Sequence, residues 1–401
     1  MSRDTTSMQP LSHLDSDADT AAGEKLKRAL EAVGMVFQPG NEVEVFRNGK
    51  EIFPPMLTAI ENAENNIEFV TFVYCQGDIA RTFAETLAGR SEAGVRVRVI
   101  LDAWGSRPMK PELIEIMTRA GVQVERFRPV VRLKFWESDH RTHRKILVTD
   151  GDTAFTGGVG IAEEWEGDAR NPGEWRDTHF KVTGPAALAL RAAFFSDWRD
   201  CGHVIEASDF DVPHPDQTGS TEVAVIDGSA QIGFNNAERA IEALVAAAQN
   251  RILIATPYFN PPSELRTLLK SAIDRGVEVD VLLPGPHIDK RISDVVAATH
   301  FAKLVDHGAR IWRYEPTMMH VKALLVDGAM SLIGSVNVNR RSVEKDEEVA
   351  MAVNDTATTT LLENHFRQDV ANSELVTPPF DAPPIGRRVA AALLRPLRPE
   401  M

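Results

Sequence analysis

His143-Arg144-Lys145-Ile146-Leu147-Val148-Thr149-Asp150 and His320-Val321-Lys322-Ala323-Leu324-Leu325-Val326-Asp327 are one pattern written twice, H-x-K-x4-D. In each copy the histidine and lysine share a parity ahead of an apolar run that reads as a buried strand, so both side chains are expected on one face at one end of it. Three fixed residues at ordinary usage match by chance on the order of 10⁻⁴ per position. One copy is therefore weak evidence, and two in matched contexts are not accidental. The repetition extends outward: Glu92-Ala93-Gly94-Val95-Arg96-Val97 answers Asp274-Arg275-Gly276-Val277-Glu278-Val279 at nearly the same offset as the histidines, which marks a duplication.

Around the first copy, periodicity predicts strands at 43–46, 66–74, 95–101 and 122–127, with helices at 52–63, 79–93 and 111–120. After the motif come a tight turn at Thr156-Gly157-Gly158 and a strand near 180–182. The second half predicts a helix at 237–249 with Asn236 as its N-cap, a strand at 251–256, a helix at 264–275, a strand at 277–283, a helix at 291–307 and a strand at 310–314. This alternation is an α/β fold of two fused repeats, each a mixed sheet flanked by helices. A pseudo-twofold relation then turns the two motif ends toward one shared site. The organisation reads as a polar, largely disordered tail over 1–40 with a short helix at 24–33, a first repeat over 41–207, an acidic and proline-containing linker over 208–221, a second repeat over 222–376, and a proline-rich, basic tail over 377–401.

A chain of 401 residues, 43% hydrophobic and 25% charged, can bury a large core. Cys75 and Cys201 are its only cysteines, too few for a disulfide framework or a cysteine-based zinc site, and compatible with a reducing compartment. The first 28 residues lack an apolar segment of the export type, and no run of about 18 apolar residues occurs. A net charge of −14 argues against a surface built to coat nucleic acid, though a local basic pocket survives such a total.

Two histidines and two lysines brought together suit a phosphodiester. Neutral imidazole attacks and imidazolium protonates a leaving oxygen near neutral pH, while Lys145 and Lys322 hold an electrophile that carries negative charge. The candidate catalytic set is thus His143, Lys145, Asp150, His320, Lys322 and Asp327. The two aspartates sit five residues past each lysine, about 16 Å of strand, so they read as structural anchors of the motif. Ser335 and Asn337, in the turn after the second motif, are candidate donors to phosphate oxygens. Asp177 and Glu348 lie downstream of the two motifs and are candidates to orient an imidazole through Nδ1.

At these residues the chain resembles the phospholipase D superfamily, whose signature is the doubled H-x-K-x4-D, and within it the bacterial cardiolipin synthases. The likeness runs from Val43 to Val353. It is carried by His143-Arg144-Lys145 with Thr156-Gly157-Gly158, by Trp175-Arg176-Asp177-Thr178-His179 and Thr256-Pro257-Tyr258-Phe259, and by Gly334-Ser335-Val336-Asn337 with Arg340-Arg341-Ser342 and Glu348. The resemblance implies a phosphohistidine on the first-repeat histidine, the second-repeat histidine as acid and then base, and no metal or other cofactor. It also implies transfer of a phosphatidyl group from one phosphatidylglycerol to the hydroxyl of another, releasing glycerol.

Three departures stand out. Gly160 replaces an asparagine, removing an expected phosphate donor. No pair of membrane-spanning helices precedes the repeats, so a peripheral enzyme on the inner face of the cell membrane is expected. Arg387, Arg388, Arg395 and Arg398 around Val389, Leu393, Leu394 and Leu397 would then contact anionic lipid. Asp346 replaces an asparagine two positions before Glu348. The competing activities are hydrolysis of the same phosphodiester by water, a nuclease-type phosphodiesterase disfavoured by the acidic total, and a non-catalytic lipid-binding protein, which would be expected to have lost a motif residue.

Overall fold

The computed structural model describes residues 16–129, 140–228, 235–289 and 301–377. The first half contributes β1 (Gln38–Arg47), β2 (Asn66–Thr71), β3 (Arg96–Asp102), β4 (Gln123–Phe127), β5 (Ile146–Thr149), β6 (Thr153–Gly157) and β7 (Thr178–Thr183). The second contributes β8 (Thr221–Gly228), β9 (Arg251–Ala255), β10 (Glu278–Pro284), β11 (Arg310–Tyr314), β12 (Ala323–Val326), β13 (Met330–Gly334), β14 (Glu348–Asn354) and the short β15 (Ser373–Leu375). All join one sheet, ordered β15-β11-β10-β9-β12-β13-β14-β8-β1-β7-β6-β5-β2-β3-β4. Outward from the central β1/β8 pair, each half runs in the same sequence of equivalent strands, so the pseudo-twofold passes between β1 and β8. The parallel strands β2–β3–β4 and β9–β10–β11 are joined through helices, as parallel pairing requires.

The two halves also face each other. β6 touches both β13 and β14, and a central core takes Ile146, Val148, Phe180 and Leu190 from one repeat and Leu325, Ile333, Met351 and Leu362 from the other. Two outer cores lie beneath the helices of each repeat. The motif strands are buried on both faces: Ile146 and Val148 point into the central core, Leu147 into the outer one. That is why they read as continuous apolar runs. Helices Ala186–Asp200 and Thr356–Val370 fill the centre. Within it Arg144 is fully buried against the carboxylates of Asp197 and Asp227.

Several expectations change. The N-terminal helix runs over Ser16–Ala32 and does not begin at Glu24; it docks Leu26 and Leu30 into the second-repeat core. The N-cap of helix Asn236–Ala247 is Asn235, whose side chain accepts from Ala237 N and Glu238 N, and Asn236 is already helical. Asp209, read as part of an acidic linker, is buried and paired with Arg98 at 2.7 Å and Arg96 at 3.1 Å. Residues 301–305 are helical; the remainder of the helix predicted at 291–307, the tail up to residue 15, and Arg387, Arg388, Arg395 and Arg398 lie outside the described residues.

Asp150 and Asp327 sit at the far ends of the motif strands. Asp150 accepts the backbone N–H groups of Glu64, Asn65 and Asn66 at 2.8, 2.7 and 3.0 Å. Asp327 accepts those of Gln249, Asn250 and Arg251 at 2.8, 2.7 and 2.9 Å. Both residues adopt positive φ, 52° and 55°, a conformation Asp and Asn tolerate better than most. Each therefore closes a strand end by satisfying three donors before β2 or β9. Asp150→Ala and Asp327→Ala should each cost about 1–3 kcal/mol of stability, read as a lower denaturant midpoint, while the folded fraction keeps its turnover. A turnover loss without a midpoint shift would contradict the anchoring role.

Candidate active site

The strand ladders begin at Ile146 and Ala323, so each His-x-Lys lies just ahead of its strand, beside the C-terminal ends of β2 and β9. These segments cross to the other repeat. Thr142 bridges Glu347 and Met319 bridges Arg176. His143 N donates to Glu347 O and Glu347 N to Arg141 O, both at 2.8 Å. In the symmetric position His320 N donates to Arg176 O at 2.8 Å and Arg176 N to Met318 O at 2.9 Å. The backbone thus lays each histidine alongside the acid of the opposite repeat. His143 Nδ1 lies 3.0 Å from both carboxylate oxygens of Glu348, and His320 Nδ1 lies 2.7 Å from Asp177 Oδ2.

The lysines obey the same symmetry: Lys145 Nζ donates to His143 O and Lys322 Nζ to His320 O, each at 2.7 Å. His143, Lys145 and His320 line one cavity of about 160 Å³ with Phe72, Trp165, Trp175, Asn337 and Asp346 among its walls. This is below the roughly 300–1,000 Å³ of pockets that enclose a drug-sized ligand, a scale suited to a headgroup phosphate. Lys322 is buried 3.0 Å from the His320 ring and does not reach the lining.

The surroundings break the symmetry. His320 is boxed by Trp165 and Trp175, with ring centroids at 5.3 and 5.2 Å, and His143 packs against Phe72 at 5.1 Å. Burial and then Lys322 push His320 down to about 4, against the pull of Asp177. Burial and then Lys322 bring Lys145 down to about 7, with Glu348 and Asp177 opposing. Burial drives Glu348 up to about 7 despite Lys145, Ser335 and Ser342. Asp177 moves the other way: its burial is outweighed by His320 and Lys322, and it lies below the ordinary carboxylate value.

The supporting turns differ accordingly. Ser335 does not line the cavity; it is fully buried and its hydroxyl donates to Glu348 and accepts Val349 N. It holds the acid rather than facing a phosphate. At the equivalent Gly158 a Cβ would lie 2.1 Å from Asp177 Oδ1, so that acid is held by Trp165 Nε1 and Thr178 N, both at 2.9 Å. Asn337 does line the cavity. Asp150 and Asp327 are not among the lining residues. Phe72 and Trp165 were not singled out from sequence, although Phe72 directly follows a parallel strand, where α/β sheets place their ligands.

Gly160 is explained by Trp165. A Cβ there would lie 2.8 Å from Val73 Cβ and 3.0 Å from the Trp165 indole. The space an asparagine would need is occupied by the ring that packs on His320, so the glycine is a packing requirement and not merely a missing donor. Gly160→Asn should cost about 1–3 kcal/mol by overpacking and lower turnover by displacing Trp165. A gain in activity with unchanged stability would contradict this reading.

Fold and site together define a two-repeat phosphotransfer architecture, and comparison with known proteins narrows it. The family profile described as "Cardiolipin synthase, PLD-like domain" matches residues 56–164 and again 241–370. The chain is 30% identical over 366 residues to Cardiolipin synthase 1 of Bacillus anthracis, spanning 89% of this chain and 72% of that one. It is 31% identical over 364 residues to a cardiolipin synthase of Geobacillus kaustophilus, spanning 90% and 72%. This chain belongs to the phospholipase D-like family of cardiolipin synthases. Among solved structures, phosphatidylserine synthase of Haemophilus influenzae shares the fold with a TM-score of 0.71 at 15% identity, covering 94% of this chain and 98% of that one. Polyphosphate kinase of Porphyromonas gingivalis shares it at 0.57 and 13%, covering 90% and 54%.

Proposed function

We propose that the chain is a cardiolipin synthase-type phosphatidyltransferase that works through a phosphohistidine. The observation that carries this is the pair of histidine–carboxylate contacts made across the repeats at one cavity beside a buried lysine. Neutral His143 attacks phosphorus through Nε2, the bond from phosphorus to the glycerol oxygen breaks, and His320 gives that oxygen its proton. In the second half His320 takes the proton of an entering hydroxyl, the new P–O bond forms, and the bond to His143 breaks. Glu348 and Asp177 fix each ring with Nε2 toward phosphorus and support the imidazolium. Lys145, which lines the cavity, offsets charge on the non-bridging oxygens, and Lys322, buried behind the His320 ring, adds its positive field from further away. Burial is the larger cause of the depressed His320, and a phosphodiester anion near the lysines counters the second, their repulsion, shifting the ring toward the basicity an acid–base group needs.

The substrate of this reading is an anionic phospholipid, phosphatidylglycerol as donor and acceptor. The test is product analysis with labelled phosphatidylglycerol: cardiolipin and glycerol are expected, and phosphatidic acid as the sole product would identify a hydrolase. No helix among the described residues is long and apolar enough to cross a membrane. Peripheral contact with an inner-leaflet surface through Arg387, Arg388, Arg395 and Arg398 is part of the proposal. Removing residues after Pro384 should weaken sedimentation with phosphatidylglycerol vesicles, more at low salt than at high salt. Unchanged sedimentation would move the contact elsewhere.

A further inference from the structure

The cavity carries two acceptor atoms that the phosphate chemistry does not use. Asn337 and Asp346 both line it and are 3% and 5% exposed. Asn337 Nδ2 donates to Ser342 Oγ at 3.3 Å, and the Ser342 side chain in turn bonds Glu348. With its one proton given to that carboxylate, the hydroxyl can only accept from the amide. This fixes the amide orientation and leaves Asn337 Oδ1 with no partner among the described residues. Asp346 Oδ2 accepts Arg341 Nε at 3.0 Å, while its Oδ1 likewise has none. Buried acceptors without donors are uncommon and costly. The non-bridging oxygens of a phosphate only accept, so they satisfy neither Asn337 Oδ1 nor the ionised carboxylate of Asp346.

We propose that Asn337 and Asp346 form a hydroxyl-accepting subsite that recognises a vicinal polyol, the glycerol moiety that leaves and enters during transfer. Two acceptors beside the phosphate-binding side match the two hydroxyls of a glycerol esterified at one end. Leaving and entering alcohols use the same position by microscopic reversibility, so the subsite acts on both half-reactions. Burial, opposed by Arg341 and assisted by Glu348, pushes the Asp346 carboxyl up to about 7, so it repels a nearby phosphate less than a fully ionised group would. The subsite also gives the Asn-to-Asp departure at 346 a role: a second acceptor oxygen where an amide would offer one acceptor and a donor.

The inference rests on the phosphatidyltransfer reading, and the experiment separates the two. The full chain is given one phosphatidylglycerol donor and either labelled glycerol or 1-propanol as acceptor, and the ratio of kcat/KM values is measured. The donor is common to both arms, so donor-side effects cancel. The wild type should favour glycerol. Asn337→Ala and Asp346→Ala should each lower the ratio about tenfold, the scale on which unpaired buried polar groups discriminate, and Asp346→Asn, whose single oxygen must serve either Arg341 or the alcohol, should lower it by a smaller factor. Either alanine variant suffices if the other does not fold. A wild type that uses both alcohols equally, or variants that lose both in parallel, overturns the subsite while leaving phosphatidyltransfer intact. A wild type that transfers to no alcohol overturns the proposed function, and the subsite with it.

Discussion

His143→Ala and His320→Ala are each expected to lower turnover by on the order of 10⁴-fold or more, with the fold retained. The size follows from unit behaviour: when a nucleophile and its acid–base partner act on one bond, losing either removes nearly the whole chemical advantage, and the double variant is scarcely worse than the single ones. Folding should survive because the strand anchors, Asp150 and Asp327, sit at the opposite ends of β5 and β12, and the backbone bridges 142–347 and 176–319 do not involve the imidazoles. The two variants should differ in what they trap. With His143 as nucleophile, rapid acid-free quenching of His320→Ala with phosphate-labelled lipid should still find label on protein, because water can supply the leaving oxygen's proton while loss of the base blocks the second half-reaction, and His143→Ala should give none. Label on His143→Ala alone would reverse the assignment. Substantial turnover in either variant would refute the shared site.

The second large effect lies in the carboxylates. Asp177→Asn should cost about 10⁴-fold, the scale seen when an ionised orienting acid is replaced by an amide that selects the wrong tautomer. Glu348→Gln should cost less at neutral pH, because Glu348 is pushed to about 7 by burial and already shares its proton there, whereas Asp177 is held ionised by His320 and Lys322. As pH rises above about 7, wild-type Glu348 ionises while glutamine cannot, so the gap between wild type and Glu348→Gln should widen with pH. That between wild type and Asp177→Asn should stay flat over the same range. Double-variant cycles on folding stability add a geometric test: His143 should couple to Glu348 and His320 to Asp177, with the same-repeat pairs nearly additive. Coupling within a repeat would contradict the crossed arrangement.

That crossing was not legible in the sequence. The doubled His-x-Lys, the common end of the motif strands, and Asp177 and Glu348 as histidine partners all follow from spacing and residue chemistry. Which acid serves which histidine depends on the pairing of residues 142 with 347 and 176 with 319, contacts between distant segments that leave no periodic trace. The central helices were missed for a related reason. Ala186–Asp200 buries Ala186, Ala187, Leu190, Arg191, Ala193, Phe194, Phe195, Asp197 and Trp198, so apolar positions fall around most of its circumference and the one-sided stripe that identifies a surface helix is blurred. Gly160 was visible only as an absent side chain, and Trp165, five residues on, carried no signal that its indole fills that space.

Because each motif histidine borrows its carboxylate from the opposite repeat, catalytic competence has a place in time. During synthesis the first repeat emerges carrying its histidine and lysine, yet the glutamate that tunes that imidazole lies at the start of β14, near the end of the described chain. Until that strand is made and docks beside β8, the nascent polypeptide lacks the carboxylate partner of His143 and is expected to turn over no lipid. Activity is therefore expected only once Glu348 has been made and docked, and a product truncated ahead of β14 should be inactive.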